Sequence, residues 1–305
     1  MKVKSSEYLT NTRPLLKKLL NRLLESFSYA SILAVDSEAY QYRVSKTVTF
    51  MGEDDLLCNR GFVIKVYDGN AYGEYSFNDI SEEKIEDIVS MVKSVVALKE
   101  SVNGMTLSQY KQLEDEPCTF CESTDYEIAP EDMGDEAILA KLTEIKDDAL
   151  LYDKKILNAT VGLSTQKYSK LFLSPNRDME QNVMWACGML MVDAKKDAVV
   201  KYSFKGFSNL GGIEIMRDIR GGIGHVGKNT LELLEASPIE PGEYDCICTP
   251  EVTGMIAHEA FGHGVEMDMF VKDRALAKSY VGKDVAAPVL TMHDGANMAC
   301  EHEVA

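Results

Sequence analysis

The first regular pattern along the chain is helical. Between residues 12 and 27, leucines recur three and four positions apart, with charged residues between them. This spacing predicts an amphipathic helix whose apolar face packs on a core. A second helix is predicted from about Ser81 to Lys99, because a serine there precedes acidic residues and then an apolar face with helical spacing.

Runs rich in β-branched and aromatic residues predict a set of strands. Short polar turns such as Asp68-Gly69-Asn70 and Ser174-Pro175-Asn176 separate neighbouring runs, as in hairpins. The predicted strands lie at residues 31–36, 40–51, 62–67, 71–77, 156–165, 169–174, 183–192 and 198–204.

The remaining pattern determines the expected fold class. Helical periodicity returns at residues 135–152, 213–219 and 228–236, whereas the stretch 111–136 is acidic and turn-rich and is expected to be an exposed connection or insertion. This mixture favours an α+β fold with antiparallel sheets. We expect one domain at residues 1–235. A second domain begins at 236–305, where a short strand at 244–248 leads into a helix after Pro250.

Composition limits the partners of the chain. Its 305 residues carry a formal net charge of −17, which repels the phosphates of nucleic acids and of anionic membranes. No apolar run approaches the roughly 20 residues that span a bilayer, and the N-terminus lacks a signal-peptide pattern. Seven cysteines, an odd number, are typical of free thiols in a reducing compartment. We expect a cytoplasmic protein that binds no membrane and no nucleic acid directly.

Candidate chemistry is concentrated in the segment MIAHEAFGHGVEMD, which places His258, Glu259 and His263 in the pattern His-Glu-x-x-x-His. Imidazoles are preferred zinc ligands, and a catalytic zinc site leaves one position for water. A neighbouring carboxylate can take the proton of that water once its pKa has fallen to about 7. The pattern thus predicts a zinc site with Glu259 as the base, although a solvated His–Glu pair on a helix has the same pattern.

The spacing of the two histidines conflicts with a regular helix. At about 100° per residue, five steps leave the two imidazoles roughly 140° apart. Gly262 and Gly264 flank His263, and glycines allow a helix to unwind or bulge. We therefore expect the helix to depart from regular geometry near Gly262, with the two rings converging on one side.

The wider segment resembles a known family. PGEYDCICTPEVTGMIAHEAFGHGVEMD, followed by GKDVA at 282–286 and VLTMHDG at 289–295, is similar to the TldD/PmbA family of metallopeptidases, once called modulators of DNA gyrase. A weaker similarity lies at residues 60–69, RGFVIKVYDG. PmbA-type members lack the His-Glu-x-x-x-His set, so the complete set here resembles the TldD type.

The resemblance implies a function and a set of partners. It implies zinc bound by His258 and His263, Glu259 as catalytic base, and hydrolysis of small or unfolded peptides. It also implies a dimer, either of identical chains or with a PmbA-type subunit, and a cysteine as third ligand in a long C-terminal region. Because the chain ends at Ala305, we expect residues 236–305 to be an incomplete C-terminal metallopeptidase domain, and this C-terminally truncated form to have an incomplete site and little activity. The alternative is a non-catalytic regulatory or partner subunit of a TldD/PmbA-type complex.

Several other side chains are candidates for binding the metal or for orienting one of its ligands. Cys300, His293 or His302 supplies the third ligand if the chain is complete. Glu266 and Asp268 could orient a ligand histidine, but they are interpreted as solvated charges at the end of the helix.

Other cysteines and one histidine are weaker candidates. Cys118 and Cys121 are spaced like half a zinc site, but they are interpreted as two thiols on an acidic loop. Cys246 and Cys248 alternate on the predicted strand and are expected in the core. His225 lies in a glycine-rich stretch that is interpreted as a turn of no special role rather than an anion site.

Overall fold

The structure is a computed structural model that describes residues 1–100, 111–271 and 273–293. Within these residues the chain divides into two units, one ending at Ser237 and the other beginning at Pro238. Helices and mainly antiparallel strands occur together, so the expected α+β fold class is confirmed. No helix of the described part is long and apolar enough to cross a membrane.

The first unit is built on an eight-stranded sheet. Its order is β4-β3-β1-β6-β7-β5, with β2 beside the second half of β1 and β8 beside the second half of β7. All pairs are antiparallel except β5 with β7. The strands are β1 (Tyr29–Val44), β2 (Thr49–Glu53), β3 (Arg60–Tyr67), β4 (Tyr72–Phe77), β5 (Cys118–Ser123), β6 (Ile156–Leu173), β7 (Arg177–Lys196) and β8 (Val199–Leu210).

Two large apolar clusters lie along this sheet. Helices α1 and α2 pack on the first, and α4, α5 and α6 contribute to the second. Helix α1 begins earlier than predicted because the side chain of Ser6 accepts a hydrogen bond from the backbone N–H of Leu9 and caps it. The helices are α1 (Glu7–Leu24), α2 (Ile85–Glu100), α3 (Pro130–Met133), α4 (Asp135–Leu150), α5 (Met216–Gly221) and α6 (Ile223–Glu235).

The central strands β1 and β6 are each continuous where the sequence predicts two shorter strands. Their polar middle segments pair with each other, with Ser37 opposite Tyr168 and Ala39 opposite Gln166. Apolar residues on either side of these middles belong to the two different clusters. A polar interruption in the pattern therefore marks the boundary between two clusters and not the end of a strand.

The acidic stretch at 111–136 is not wholly an exposed connection, and that expectation is wrong for β5. Residues 118–123 pair in parallel with the first part of β7. The guanidinium of Arg177 donates to the backbone oxygens of Glu114 and Glu116, at 3.2 and 3.1 Å. These partners are distant in sequence, so local periodicity does not reveal the strand.

The glycine-rich stretch around His225 is helical, and the predicted turn is wrong. A Cβ at Gly222 would come within 2.5 Å of the ring of Phe207, and one at Gly227 within 2.6 Å of the ring of Tyr152. These glycines therefore allow α6 to approach its neighbours closely. His225 lies on α6 with its Nε2 atom 3.1 Å from the Nδ2 atom of Asn229.

A clasp, formed by residues 126–129 and 211–214, joins the start of α3 to the end of β8. The carboxylate of Glu214 accepts hydrogen bonds from the backbone N–H groups of Glu127, Ile128 and Gly212 at 3.2, 3.0 and 2.9 Å. Burial raises the pKa of this carboxyl, but the backbone N–H groups together lower it by more, so the pKa lies below its usual value of 4.5.

The clasp predicts a pH-dependent contribution to stability. Glu214→Gln should lower the free energy of unfolding at pH 7, because an amide presents only one acceptor oxygen to these donors. A carboxyl whose pKa is depressed by folding stabilises the fold above its unfolded pKa and loses that effect as the pH falls through its folded pKa. The difference from the parent in urea unfolding should therefore shrink below pH 4.5. A difference independent of pH would contradict a role for the charge.

The second unit contains the expected helix after Pro250 as the first of a short helical series, but it lacks the expected strand. It contains α7 (Pro250–Ala257), a π-helical turn (His258–Gly262), a 3₁₀ turn (His263–Val265), α8 (Met267–Val271) and a further 3₁₀ turn (Leu276–Tyr280). The strand predicted at 244–248 is absent, and Cys246 and Cys248 are exposed rather than in the core. A strand requires a neighbour for its backbone groups, and residues 244–248 have none within the described ranges.

Candidate metal centre

Helix α7 positions the histidine motif and then changes its hydrogen bonding. It begins with Pro250 directly after Thr249, a position where the missing N–H of proline costs nothing. After Ala257 the backbone N–H of His263 donates to the carbonyl of His258, five residues earlier. This i→i+5 bond defines a π turn, which is rare and occurs mostly as single turns within helices.

The π turn brings together the three side chains of the motif. The ring centroids of His258 and His263 are 4.4 Å apart, with the ring planes at 63°. The Nε2 atom of His263 lies 3.8 Å from the Oε2 atom of Glu259. One possible ligand atom from each of the three residues lies within 4.8 Å of the others. The expected irregular helix and convergent rings are confirmed.

The reason for the irregularity differs from the one that the sequence suggested. Gly262 has φ −55° and ψ −51°, which are ordinary right-handed helical values. The left-handed freedom of glycine is therefore not used at this position. A Cβ on Gly262 would lie 3.5 Å from the Nδ1 atom of His258, which is ordinary van der Waals contact, so the packing beside that ring does not require glycine.

The electrostatic setting of His263 is acidic. Its Nδ1 atom lies 2.7 Å from the Oε1 atom of Glu266, which ends the 3₁₀ turn. The hydrogen bond to Glu266 is the largest cause of a raised pKa at His263; slight burial opposes it, and the charges of Glu266 and Glu259 reinforce it. A metal ion that binds this imidazole must displace its proton, so the metal affinity of such a site depends on pH.

The residue types of this cluster suit a transition-metal ion such as zinc, and two of its three side chains are imidazoles. Zinc is bound by imidazole nitrogen and carboxylate oxygen at about 2.0–2.2 Å, so ligand atoms around it lie about 3.4 Å apart. The possible ligand atoms of this cluster lie within 4.8 Å of one another, a wider spacing than in a zinc-bound site. The three side chains are exposed, with 54% of His263 and 62% of Glu259 accessible.

The other candidate ligands are not brought into this cluster. His293 is exposed and is not among the clustered groups of the described residues. Cys300 and His302 lie outside the described residues. Cys118 and Cys121 lie on β5 in the first unit, not on a loop as interpreted, and a separation of three residues places them on opposite faces of the strand. No disulfide bond joins the described cysteines.

Comparison with known proteins shows that the chain is similar to metalloproteases. Residues 241–303 match the model of the PmbA/TldA metallopeptidase C-terminal domain. A metalloprotease of Methanocaldococcus jannaschii is 24% identical over 289 residues, which are 92% of this chain and 60% of that protein. A metalloprotease of Methanothermobacter thermautotrophicus is 25% identical over 142 residues, which are 46% of this chain and 31% of that protein. The chain thus spans 60% or less of the length of these two relatives.

Solved structures share the fold at low identity. Two described as modulators of DNA gyrase, from Bacteroides thetaiotaomicron and Thermotoga maritima, have TM-scores of 0.52 and 0.55 at 15% and 14% identity. Each is matched by 74% of this chain, over 49% and 50% of its own length. TldE from Thermococcus kodakarensis has a TM-score of 0.51 at 15% identity, over 72% of this chain and 47% of that one. Residues 241–303 thus match the C-terminal domain of the PmbA/TldD metallopeptidases, and the metalloprotease relatives and the shared fold agree with that match.

Proposed function

We propose that this chain carries the zinc-binding part of a TldD-type peptidase that hydrolyses small or unfolded peptides. The π turn supports this proposal most strongly, because it brings His258, Glu259 and His263 together although their spacing would separate them on a regular helix. A π turn has a cost in hydrogen-bond geometry and is found frequently at functional sites. The complete His-Glu-x-x-x-His set favours the TldD type over the PmbA type.

Each residue of the motif has a distinct role in the proposed reaction. His258 and His263 would hold the metal through imidazole nitrogens. When bound, zinc supplies Lewis acidity that polarises the scissile carbonyl and lowers the pKa of water. Glu259 accepts the proton of the attacking water and then delivers it to the leaving amine. Its exposed carboxylate lies 3.8 Å from the Nε2 atom of His263.

The remaining features of the proposal come from the family resemblance. A third ligand is needed, and a cysteine in the C-terminal region of the full-length protein is the group that we propose. We also propose a dimer, either of this chain or with a PmbA-type subunit, and a cytoplasmic location. We further propose that the chain does not bind nucleic acid directly, because its net charge of −17 repels phosphates.

The proposal predicts a metal content that depends on both histidines. In the full-length protein, His258→Ala and His263→Ala should each lower zinc affinity by at least about tenfold, because each removes one of few ligands. Zinc per chain is measured by atomic emission after dialysis against a zinc buffer, and cleavage of an unstructured peptide is assayed in parallel. His225→Ala is the matched control, since His225 lies on α6 in the first unit.

Two outcomes would contradict parts of this proposal. Peptide cleavage that persists in both histidine variants would place the active site elsewhere. A parent protein that binds one zinc per chain without cleaving peptides would instead favour the alternative of a non-catalytic partner subunit.

A further inference from the structure

We propose that Glu266 is a positioning residue of the metal centre: its carboxylate fixes the Nδ1–H tautomer of His263 and leaves the Nε2 atom free to bind the metal. The part of this inference that concerns the metal rests on the proposed function. The part that concerns the tautomer rests on the geometry of the chain itself.

The hydrogen bond determines which ring nitrogen carries the proton. Oε1 of Glu266 lies 2.7 Å from Nδ1 of His263, within the range of a charge-assisted hydrogen bond. An ionised carboxylate only accepts hydrogen bonds, so Nδ1 is the donor. In a neutral imidazole the other nitrogen then has the free lone pair. That nitrogen, Nε2, is the one on the side of Glu259, at 3.8 Å from its Oε2 atom.

The backbone places Glu266 for this contact. In a 3₁₀ helix, residues three apart are eclipsed, and the 3₁₀ turn at His263–Val265 puts the next residue, Glu266, over His263. Glu266 itself leaves the helix, with φ −55° and ψ 121°. The preceding π turn aligns His263 with His258, and the 3₁₀ turn aligns Glu266 with His263. The π turn therefore places His258 beside the imidazole of His263, and the 3₁₀ turn places Glu266 beside it.

The two carboxylates near His263 have different roles because they approach different nitrogens. Glu266 is at hydrogen-bond distance from Nδ1, whereas Glu259 is at 3.8 Å from Nε2, beyond a hydrogen bond. A ligand histidine that donates its second N–H to a carboxylate has its tautomer and ring orientation fixed before the metal arrives. Loss of such a partner reduces metal affinity by about 10–100-fold.

The test measures metal binding and the tautomer separately in the full-length protein. Zinc affinity is obtained by competition with a chromophoric chelator at a pH where the histidines are neutral. Glu266→Ala should weaken zinc binding by about 10–100-fold, and Glu266→Gln should recover part of the loss because its amide oxygen can accept from Nδ1. Glu240→Gln removes an exposed charge from the same unit and should have no effect.

The second measurement uses no metal. In metal-free protein labelled with ¹⁵N-histidine, the ring nitrogen shifts of His263 should report Nδ1–H in the parent and a change towards Nε2–H in Glu266→Ala. A proton on Nε2 in the parent, or parent-like zinc affinity in Glu266→Ala, would overturn the inference. A parent that binds no zinc but has the Nδ1–H tautomer would overturn the proposed function and still support the assignment of the tautomer.

Discussion

Replacing Glu259 by glutamine in the full-length protein should lower the rate of peptide cleavage by about 10²–10⁴-fold, the usual contribution of a general base. The amide has the same shape as the carboxylate but cannot accept a proton from water at neutral pH. His258 and His263 remain, so bound zinc should stay close to the parental amount. Because the lost interaction belongs to proton transfer, kcat should fall and KM should change little.

Metal content and steady-state kinetics on the same preparations provide the measurement for this variant. Glu243→Gln makes the same chemical change at an exposed position of the same unit and serves as the control. A Glu259→Gln variant within about tenfold of the parent in kcat would mean that another group takes the proton. Loss of zinc together with activity would instead indicate that Glu259 is a ligand.

The candidate site could be proposed from the sequence, but its geometry could be predicted only in part. Residue types and spacing identify His258, Glu259 and His263, and helical geometry requires an irregular turn between the histidines. The sequence does not distinguish a π turn from a kink, since both depend on which carbonyl the N–H of His263 selects. Gly262 has helical torsion angles, so the left-handed freedom of glycine does not account for the π turn.

In the first unit, the errors of sequence interpretation arise from long-range partners. The strand at 118–123 exists because β7 offers it an edge, and β1 continues through a polar segment because β6 pairs with it. The meaning of a glycine in the sequence also depends on long-range partners. Gly222 and Gly227 suggest a turn in the sequence, whereas in the structure they admit the rings of Phe207 and Tyr152.

The largest effect on stability is expected at Gly212, in the clasp between residues 126–129 and 211–214. A Cβ at this position would lie 1.9 Å from the carbonyl oxygen of Ile128 and 2.9 Å from its carbonyl carbon. Both are backbone atoms, so no side-chain rotation relieves the overlap. The backbone N–H of Ile213 donates to that same oxygen at 2.9 Å, and Ile213 is fully buried in the second apolar cluster. Moving Ile128 away therefore breaks this hydrogen bond and disturbs the core.

Gly212→Ala should consequently lower the free energy of unfolding by about 3 kcal/mol, which combines overpacking with a lost buried hydrogen bond. Gly224→Ala is the matched control because no heavy atom lies within 4 Å of its added Cβ, on the exposed side of α6. That variant should be stabilised by about 0.5–1 kcal/mol, since alanine is the better helix former. Urea unfolding of both variants, followed by far-ultraviolet circular dichroism, gives the comparison. If Gly212→Ala were as stable as the parent, residues 126–129 would be able to move away from residue 212 without loss of stability. The clasp would then not hold the end of β8 to the start of α3.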